Sequence, residues 1–302
     1  MHIAFVGFGE AARAIRDSLG TLDPSLSFTA YDILLDDSQT APAMRAAMEE
    51  RSVGVAADCA GLTEADWIIS AVTADQSLVA LQSLAPHLTQ GQWVIDINSV
   101  SPDRKRESAA LVEKAGGHYL DMAVMAPVYQ NGHPRGHRTP VLLAGAMPPG
   151  MLDEIDRLEF DHRIVGDEPG RAAAIKMVRS LFVKGLEAIT VETLLAAQAS
   201  GCFEEILSSL SVSYPGLGWP QFASYEFERT LKHGKRRAAE MRESAATVAA
   251  LGLNGRLAGE IANIQEAMGG LAADAPAQAD TDGDMSGTVA AILSARLKSG
   301  PA

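Results

Sequence analysis

Lys176 stands in GRAAAIKMVRS (170–180), where the four residues before it are small or apolar. An amine on such a stretch is shielded from water, and burial disfavours its charged form, bringing a lysine toward the range in which it gives and takes a proton near neutrality. Such a group can be the base when a secondary alcohol is oxidised and the acid when a carbonyl is reduced, provided a hydride carrier is at hand. The plainer alternative is a lysine that snorkels to solvent. The carrier is suggested at the other end of the chain. Gly7, Gly9 and Ala12, in VGFGEAA directly after an apolar run, form a GxGxxA fingerprint that opens a helix. Gly7 permits the tight turn, Gly9 leaves room for a pyrophosphate, and Ala12 lets helix and strand pack closely while the helix N-terminus faces the phosphates. Phe8, Glu10 and Ala11 complete the expected cradle. Asp32 follows Ala12 by twenty residues at the end of the second apolar run, where a carboxylate accepts hydrogen bonds from a ribose and repels a 2′-phosphate. No arginine follows closely in YDILLDD, so NAD is expected ahead of NADP. An unrelated glycine turn and a solvated strand-end carboxylate are the bland alternatives.

The elements that must position these groups are legible as periodicity. Apolar runs at 2–7, 26–32, 67–72, 92–97 and 139–144 have strand length. Helical patterns fill 10–19, 41–50, 75–84 and 102–114, the last opened by Ser101 as N-cap with Pro102 at the first helical position. This alternation predicts an α/β fold, an N-terminal Rossmann doubly wound parallel sheet with right-handed crossovers. Val72 and Thr73 then fall at a strand end, among the expected cofactor contacts. Beyond about residue 168 the strand patterns stop and Ala-, Leu- and Glu-rich helical sequence runs to about 272. The stretch from Glu168 to Ser200 reads as one long helix with Gly185 as a weak point, YPGLGWP (214–220) as a break, and ADAPAQADTDGD (273–284) as a linker before a last helix. The expected domains are 1–167, dinucleotide-binding, and 168–302, an all-helical substrate and dimerisation domain. Long apolar helices present more surface than a lone domain covers, which predicts a homodimer.

With 302 residues, 47% of them hydrophobic, the chain can bury a large core. A net charge of -13 argues against nucleic-acid or anionic-membrane partners and means that an anionic ligand needs a local cluster of donors. The expected partner is a small-molecule substrate. No apolar run approaches the roughly 20 residues of a membrane span, and the N-terminal MHIAFVGFGE reads as strand and turn, not as a secretory signal. Cys59 and Cys202 are isolated, which suggests neither a disulfide framework nor structural zinc and fits a cytoplasmic setting.

With these residues placed, the chain resembles the β-hydroxyacid dehydrogenases, the family of 3-hydroxyisobutyrate and 6-phosphogluconate dehydrogenases. Four ordered blocks carry the resemblance: VGFGEAA, DINSVSP (96–102), YLDMAVMAP (119–127) and GRAAAIKMVRS. It implies that Lys176 is the catalytic acid and base, that Ser99 lies beside the nicotinamide, and that Val124, Met125 and Ala126 line the substrate. HGKRRAAEM (233–241) and KMVRSLFVKGLEAITVE (176–192) look closer to a poorly characterised branch with its own C-terminal helical domain.

The departures from the family pattern are informative. Ser180 occupies the place of a substrate-binding asparagine, and Arg179 beside it is expected either to pair with a substrate carboxylate or to form an ordinary ion pair. Val183 stands where decarboxylating relatives carry a glutamate, which predicts redox chemistry without decarboxylation. Met125, Ala126 and Pro127 replace the Ser-Gly-Gly that grips the substrate acid, and Pro127 has no N–H to donate. The loop 131–140, with His133, Arg135, His137 and Arg138, offers a substitute anion clamp or is simply a solvated basic loop. A metal held by His133 and His137 has less support, because no carboxylate or cysteine sits close by. His233 lies where the named enzymes place a second lysine near the nicotinamide; the alternative is a core or surface histidine. An imine reductase and a non-catalytic NAD(H) sensor are the competing functions, and retention of Lys176 counts against both.

Overall fold

The structure is a computed structural model that describes residues 1–130, 133–271 and 285–299. It divides into two compact units, Met1–Lys176 and Met177–Ala302, the division falling within one long helix. The linker expected at 273–284 lies outside the described residues.

In the first unit, β1 (His2–Val6), β2 (Ser27–Tyr31), β3 (Gly54–Val55), β4 (Trp67–Ser70), β5 (Trp93–Asp96) and β6 (His118–Val124) are followed by a short ribbon, β7 (Tyr129–Gln130) and β8 (His133–Pro134), and by β9 (Val141–Ala144) and β10 (His162–Gly166). The main sheet has the order β10-β9-β6-β5-β4-β1-β2-β3. From β3 to β6 every pairing is parallel, giving the dinucleotide-fold order 3-2-1-4-5-6 with its switch point between β1 and β4. Helices α1 (Glu10–Leu22), α2 (Ala41–Glu49), α3 (Ser77–Leu84), α4 (Pro102–Lys114) and α5 (Pro149–Arg157) supply cover on both faces. Alternation along the strands decides which face each side chain joins. Ile3, Phe5 and Ile95 pack with Ile15, Met48 and Ile155 on one side, while Ala4, Val6 and Val94 pack with Leu81, Leu84 and Val112 on the other. With both faces buried, the strands read as continuous apolar runs.

The sheet is not parallel throughout. β9 runs antiparallel to β6, and β10 is parallel to β9. A parallel return needs a crossover, usually a helix. The β6–β9 connection holds Pro127, Pro134 and Pro140 and forms, among its described residues, only the ribbon and a 3-10 turn, so the chain doubles back.

The long helix expected from residue 168 is α6 (Arg171–Ala199), uninterrupted at Gly185. After it come α7 (Phe203–Ser213), α8 (Gln221–Ala250), α9 (Arg256–Gly270) and α10 (Met285–Ser299), with the expected break between α7 and α8. No strand occurs among the described residues of the second unit. Its core joins Val191 and Leu194 of α6 with Phe203, Phe227, Met268 and Ile292. α8 and α9 come close at two glycines: a Cβ on Gly234 would lie 2.2 Å from the Gln265 carbonyl oxygen, and one on Gly269 2.5 Å from the Lys235 nitrogen. Among the described residues no helix is long and apolar enough to cross a membrane.

Candidate active site

The carboxyl ends of the parallel strands gather the glycine turn, Asp32, Val72, Thr73 and Ser99. Gly7 follows β1 with φ +83°, in the left-handed region that glycine tolerates. Its N–H donates to the Tyr31 carbonyl at 2.8 Å. A Cβ there would come within 2.6 Å of the Ala71 carbonyl oxygen and 2.7 Å of Val72 Cγ1, so the turn lies directly against the end of β4. Gly9 is the N-cap of α1, at φ -80°, with no side-chain cap on the helix. A Cβ at Gly9 would meet nothing within 4 Å. The two glycines therefore serve different ends: Gly7 is required by its neighbours, whereas Gly9 keeps space open over an uncapped helix N-terminus whose first N–H groups have no intrahelical acceptor. That cradle fits a pyrophosphate. Ala12 is fully buried against the sheet, Ala11 is half-buried and Glu10 is exposed. Phe8 turns its ring wholly into the core, leaving its backbone at the turn.

Asp32 is nearly buried and accepts two backbone hydrogen bonds, from Phe8 N at 2.7 Å to Oδ2 and from Leu34 N at 3.0 Å to Oδ1. A carboxylate has about four lone-pair sites, so capacity for sugar hydroxyls remains. Sequence reasoning missed the structural role of this residue, which fastens the glycine turn to the end of β2.

Asn98 was also missed. Buried beyond β5, it accepts from Val72 N at 2.7 Å and donates through Nδ2 to Ser70 Oγ at 2.9 Å and Ser77 Oγ at 3.2 Å. It ties the ends of β4 and β5 to the start of α3, and the signal for it was only its place inside DINSVSP. Thr73 is exposed just beyond Val72. Ser99 follows Asn98, and its Oγ accepts a hydrogen bond from Lys176 Nζ at 2.6 Å. Both residues are half-buried. A chain of direct contacts thus runs from Gly7 through Val72 and Asn98 to Ser99 and Lys176.

The segment expected to line a substrate begins at the end of β6. Val124 pairs with Val141, Met125 N donates to the Pro140 carbonyl at 2.9 Å, and Met125 packs on the small cluster that contains Ala172 of α6. Ala126 is half-buried. Within the loop expected as an anion clamp, His137 is turned inward. His137 is 2% exposed, its Nδ1 lies 2.8 Å from Ser18 Oγ on α1, and its ring meets Phe160 edge-on. Burial, with Arg138 nearby, pulls its pKa down to about 4, leaving a neutral imidazole. Arg138 pairs with Glu159 on the surface. The side chain of His133 lies outside the described residues. His137, packed inward, is thus withdrawn from the expected anion clamp, and Arg138 is held in a surface ion pair.

Arg179, Ser180 and His233 belong to the second unit. Arg179 is exposed. Ser180 is buried and its Oγ accepts from Lys184 Nζ at 3.3 Å, while Lys184 pairs with Glu240 at 2.9 Å. His233 is half-buried on α8, and burial together with Arg236, Arg229, Arg237 and Lys232 lowers its pKa to about 4. Val183 is half-buried.

Comparison with known proteins gives two family matches. Residues 2–128 match the NAD binding domain of 6-phosphogluconate dehydrogenase, and residues 197–268 match a domain of unknown function, DUF1932. A conserved hypothetical protein from Sinorhizobium meliloti 1021 is 33% identical, with 98% of this chain and 96% of that chain covered and a TM-score of 0.69. A conserved protein of unknown function, described as structurally similar to 3-hydroxyacid dehydrogenases, is 25% identical over 89% of this chain and 96% of its own, with a TM-score of 0.64. The 3-hydroxyisobutyrate dehydrogenase of Salmonella typhimurium shares the fold at 19% identity, with coverage of 97% and 99% and a TM-score of 0.67. A curated relative, an uncharacterised 28.5 kDa protein of Methanothermus fervidus, is 26% identical over 145 residues, 48% of this chain, and the match spans 53% of the relative's length.

Proposed function

This chain belongs to the β-hydroxyacid dehydrogenase family, in a branch that joins a 6-phosphogluconate dehydrogenase-type NAD-binding domain to the DUF1932 helical domain, and from that premise we propose that it is an NAD(P)-dependent oxidoreductase acting on a small hydroxyacid-type alcohol or its carbonyl counterpart. The observation that carries the proposal is the 2.6 Å hydrogen bond between Lys176 Nζ and Ser99 Oγ, linked by direct contacts to the glycine turn.

The turn at Gly7 and Gly9 and the N-terminus of α1 would hold the cofactor's pyrophosphate, and Asp32 its adenosine ribose. A bound nicotinamide supplies or accepts the hydride. The rest belongs to this chain. In oxidation Lys176 Nζ takes the hydroxyl proton as the C–H hydride leaves; in reduction the ammonium returns it to the carbonyl oxygen. Ser99, accepting from Lys176, fixes the direction of the amine. Asp32 favours NAD over NADP, because its charge opposes a 2′-phosphate. Val183 leaves the lysine helix without an acid at that position, so the reaction stops at redox without decarboxylation. Retention of the lysine favours this reading over an imine reductase. The domain limits at 1–167 and 168–302 and a homodimeric assembly belong to the same proposal; the exposed Val178, Phe182 and Ile189 on α6 support pairing with a second copy.

A test is to screen hydroxyacids and aldehydes by NADH absorbance, with wild type and Lys176→Ala, alongside NADH binding by fluorescence. The proposal expects turnover by wild type and a loss of about 10²- to 10⁴-fold in the variant with NADH binding retained. Binding without turnover on any substrate would instead favour an NAD(H) sensor.

A further inference from the structure

Lys105 lies in PDRKRE, a run that reads as a solvated helix face, yet its side chain is 0% exposed. From the first turns of α4 its Nζ reaches the Asp96 carbonyl oxygen at 2.7 Å, Asp96 Oδ1 at 3.0 Å and Asp121 Oδ1 at 3.3 Å. The last is an ion-pair contact without hydrogen-bond alignment. Both carboxylates are also fully buried. One cation therefore sits between two carboxylates in the interior, an arrangement that is costly unless each partner is further satisfied.

The further partners lead to the site. Asp96, the last residue of β5, accepts from Asn98 N at 2.8 Å through Oδ1 and from the Tyr119 hydroxyl at 2.6 Å through Oδ2. Burial, with Asp96 and Asp121 nearby, holds that phenol well above its ordinary pKa, so it stays a donor. Asp96 thereby sets the start of the loop that carries Ser99. Asp121, within β6, turns Oδ2 onto the N-terminus of α6 and accepts from Gly170 N at 3.0 Å and Ala173 N at 3.1 Å. It is a helix cap supplied from a distant strand, and its charge is favourable at a helix N-terminus. Ala173 precedes Lys176 by less than one helical turn. The Lys105 ammonium thus joins the two segments whose far ends meet as Ser99 and Lys176.

Resting on the oxidoreductase reading given above, we infer that Lys105 is a positioning residue: by holding Asp96 and Asp121 together it sets the loop of Ser99 against the first turns of α6 and so fixes the proton-transfer amine. Lys105 acts through the two carboxylates and touches no reacting atom.

The test uses the full chain and three variants: Lys105→Met, the charge-balanced pair Lys105→Met with Asp96→Asn, and Asp121→Asn. The primary readout is trace acylation of lysines with acetic anhydride, quantified by mass spectrometry as the labelling of Lys176 relative to Lys114, an exposed lysine at the end of the same helix α4. NADH binding reports whether the glycine turn is intact. The expected result is that Lys176 labelling rises toward that of Lys114 in all three variants while NADH affinity stays within about threefold, a change of roughly 0.7 kcal/mol. If wild type turns over a substrate, kcat falls by up to about 10²-fold with KM for NADH little changed, as displacement of a reacting group by about 1 Å produces. Should Lys105→Met fail to fold, the double variant and Asp121→Asn carry the test. An unchanged or lower labelling ratio in folded variants overturns the inference, as does recovery of the wild-type ratio in the double variant, which would make Lys105 a charge neutraliser only. The labelling needs no substrate, so absence of wild-type turnover would sink the functional proposal, while the labelling ratio would still decide whether Lys105 sets the position of Lys176.

Discussion

The two glycines of the first turn should fail in opposite ways when each is replaced by alanine. At Gly7 a side chain meets a left-handed backbone, φ +83°, and two near neighbours, the Ala71 carbonyl oxygen at 2.6 Å and Val72 Cγ1 at 2.7 Å. The backbone conformation costs about 1–2 kcal/mol for a non-glycine residue, and forcing β4 away from the turn adds about 1–3 kcal/mol, as overpacking does. The sum is roughly 2–5 kcal/mol. With a urea slope of about 2 kcal/mol/M, the middle of the range for small proteins, the unfolding midpoint should fall by about 1–2.5 M. Gly9 differs in each respect: its φ is -80° and a Cβ meets nothing within 4 Å. Gly9→Ala should cost under about 1 kcal/mol, the ordinary difference between these residues at an N-cap. Its methyl occupies the space over the helix N-terminus, so the loss should appear in NADH affinity. The assay is urea unfolding followed by the fluorescence of Trp67 and Trp93, both in the sheet, together with NADH titration of each folded protein. A Gly9→Ala protein that binds NADH like wild type would refute the cradle, and a Gly7→Ala protein as stable as wild type would refute the packing that places the turn against β4.

Other consequences follow from the same geometry. Asp32→Asn removes the charge that opposes a 2′-phosphate and weakens the tie to Phe8 N, so NADH binding should fall by about tenfold or more, as loss of a charge-assisted hydrogen bond implies, while the preference for NADH over NADPH narrows; an unchanged preference would count against Asp32 as the discriminator. The unfolded chain protonates His137 below about pH 6.5, whereas the folded chain excludes that proton down to about 4. The stability of the sheet unit should therefore rise with pH between these values, by up to about 3 kcal/mol, and His137→Gln should flatten the rise. Glu226 behaves with the opposite sign, because burial raises its pKa from 4.5 to about 7. The folded helical unit then binds a proton that the unfolded chain has lost, and its stability should decline as pH climbs through 5 to 7; Glu226→Gln should abolish the decline in urea midpoints followed by helix circular dichroism.

Periodicity and local motifs made much of the fold legible, because the strand ends, the glycine turn and the start of α1 are set by residues adjacent in sequence. The long run of α6 was visible for the same reason: no proline falls between Pro169 and Pro215, and Gly185 alone is too weak to break a packed helix. What escaped is governed by distant partners. β6 carries Asp121 in its middle, a residue that argues against a buried strand unless Lys105, sixteen positions earlier, is known to reach it. Lys105 itself sits in a charged run and gives no sign of burial. His137 read as a surface cation because its loop is basic, yet Ser18 and Phe160 draw it inward. Asp32 was placed by spacing, but its bond to Phe8 N depends on how closely the glycine turn passes β2. Each case is one in which a charge or ring is settled by a contact across the fold, and spacing along the chain carries no record of it.

The claim on which the functional account rests is tested most directly by a crystal structure of the wild-type protein grown with NADH. It should show the pyrophosphate over Gly9 and the nicotinamide ring beside Ser99, with Lys176 Nζ directed at the space where a substrate hydroxyl would lie against that ring. A nicotinamide bound away from Ser99, or a Lys176 amine turned from it, would contradict the account.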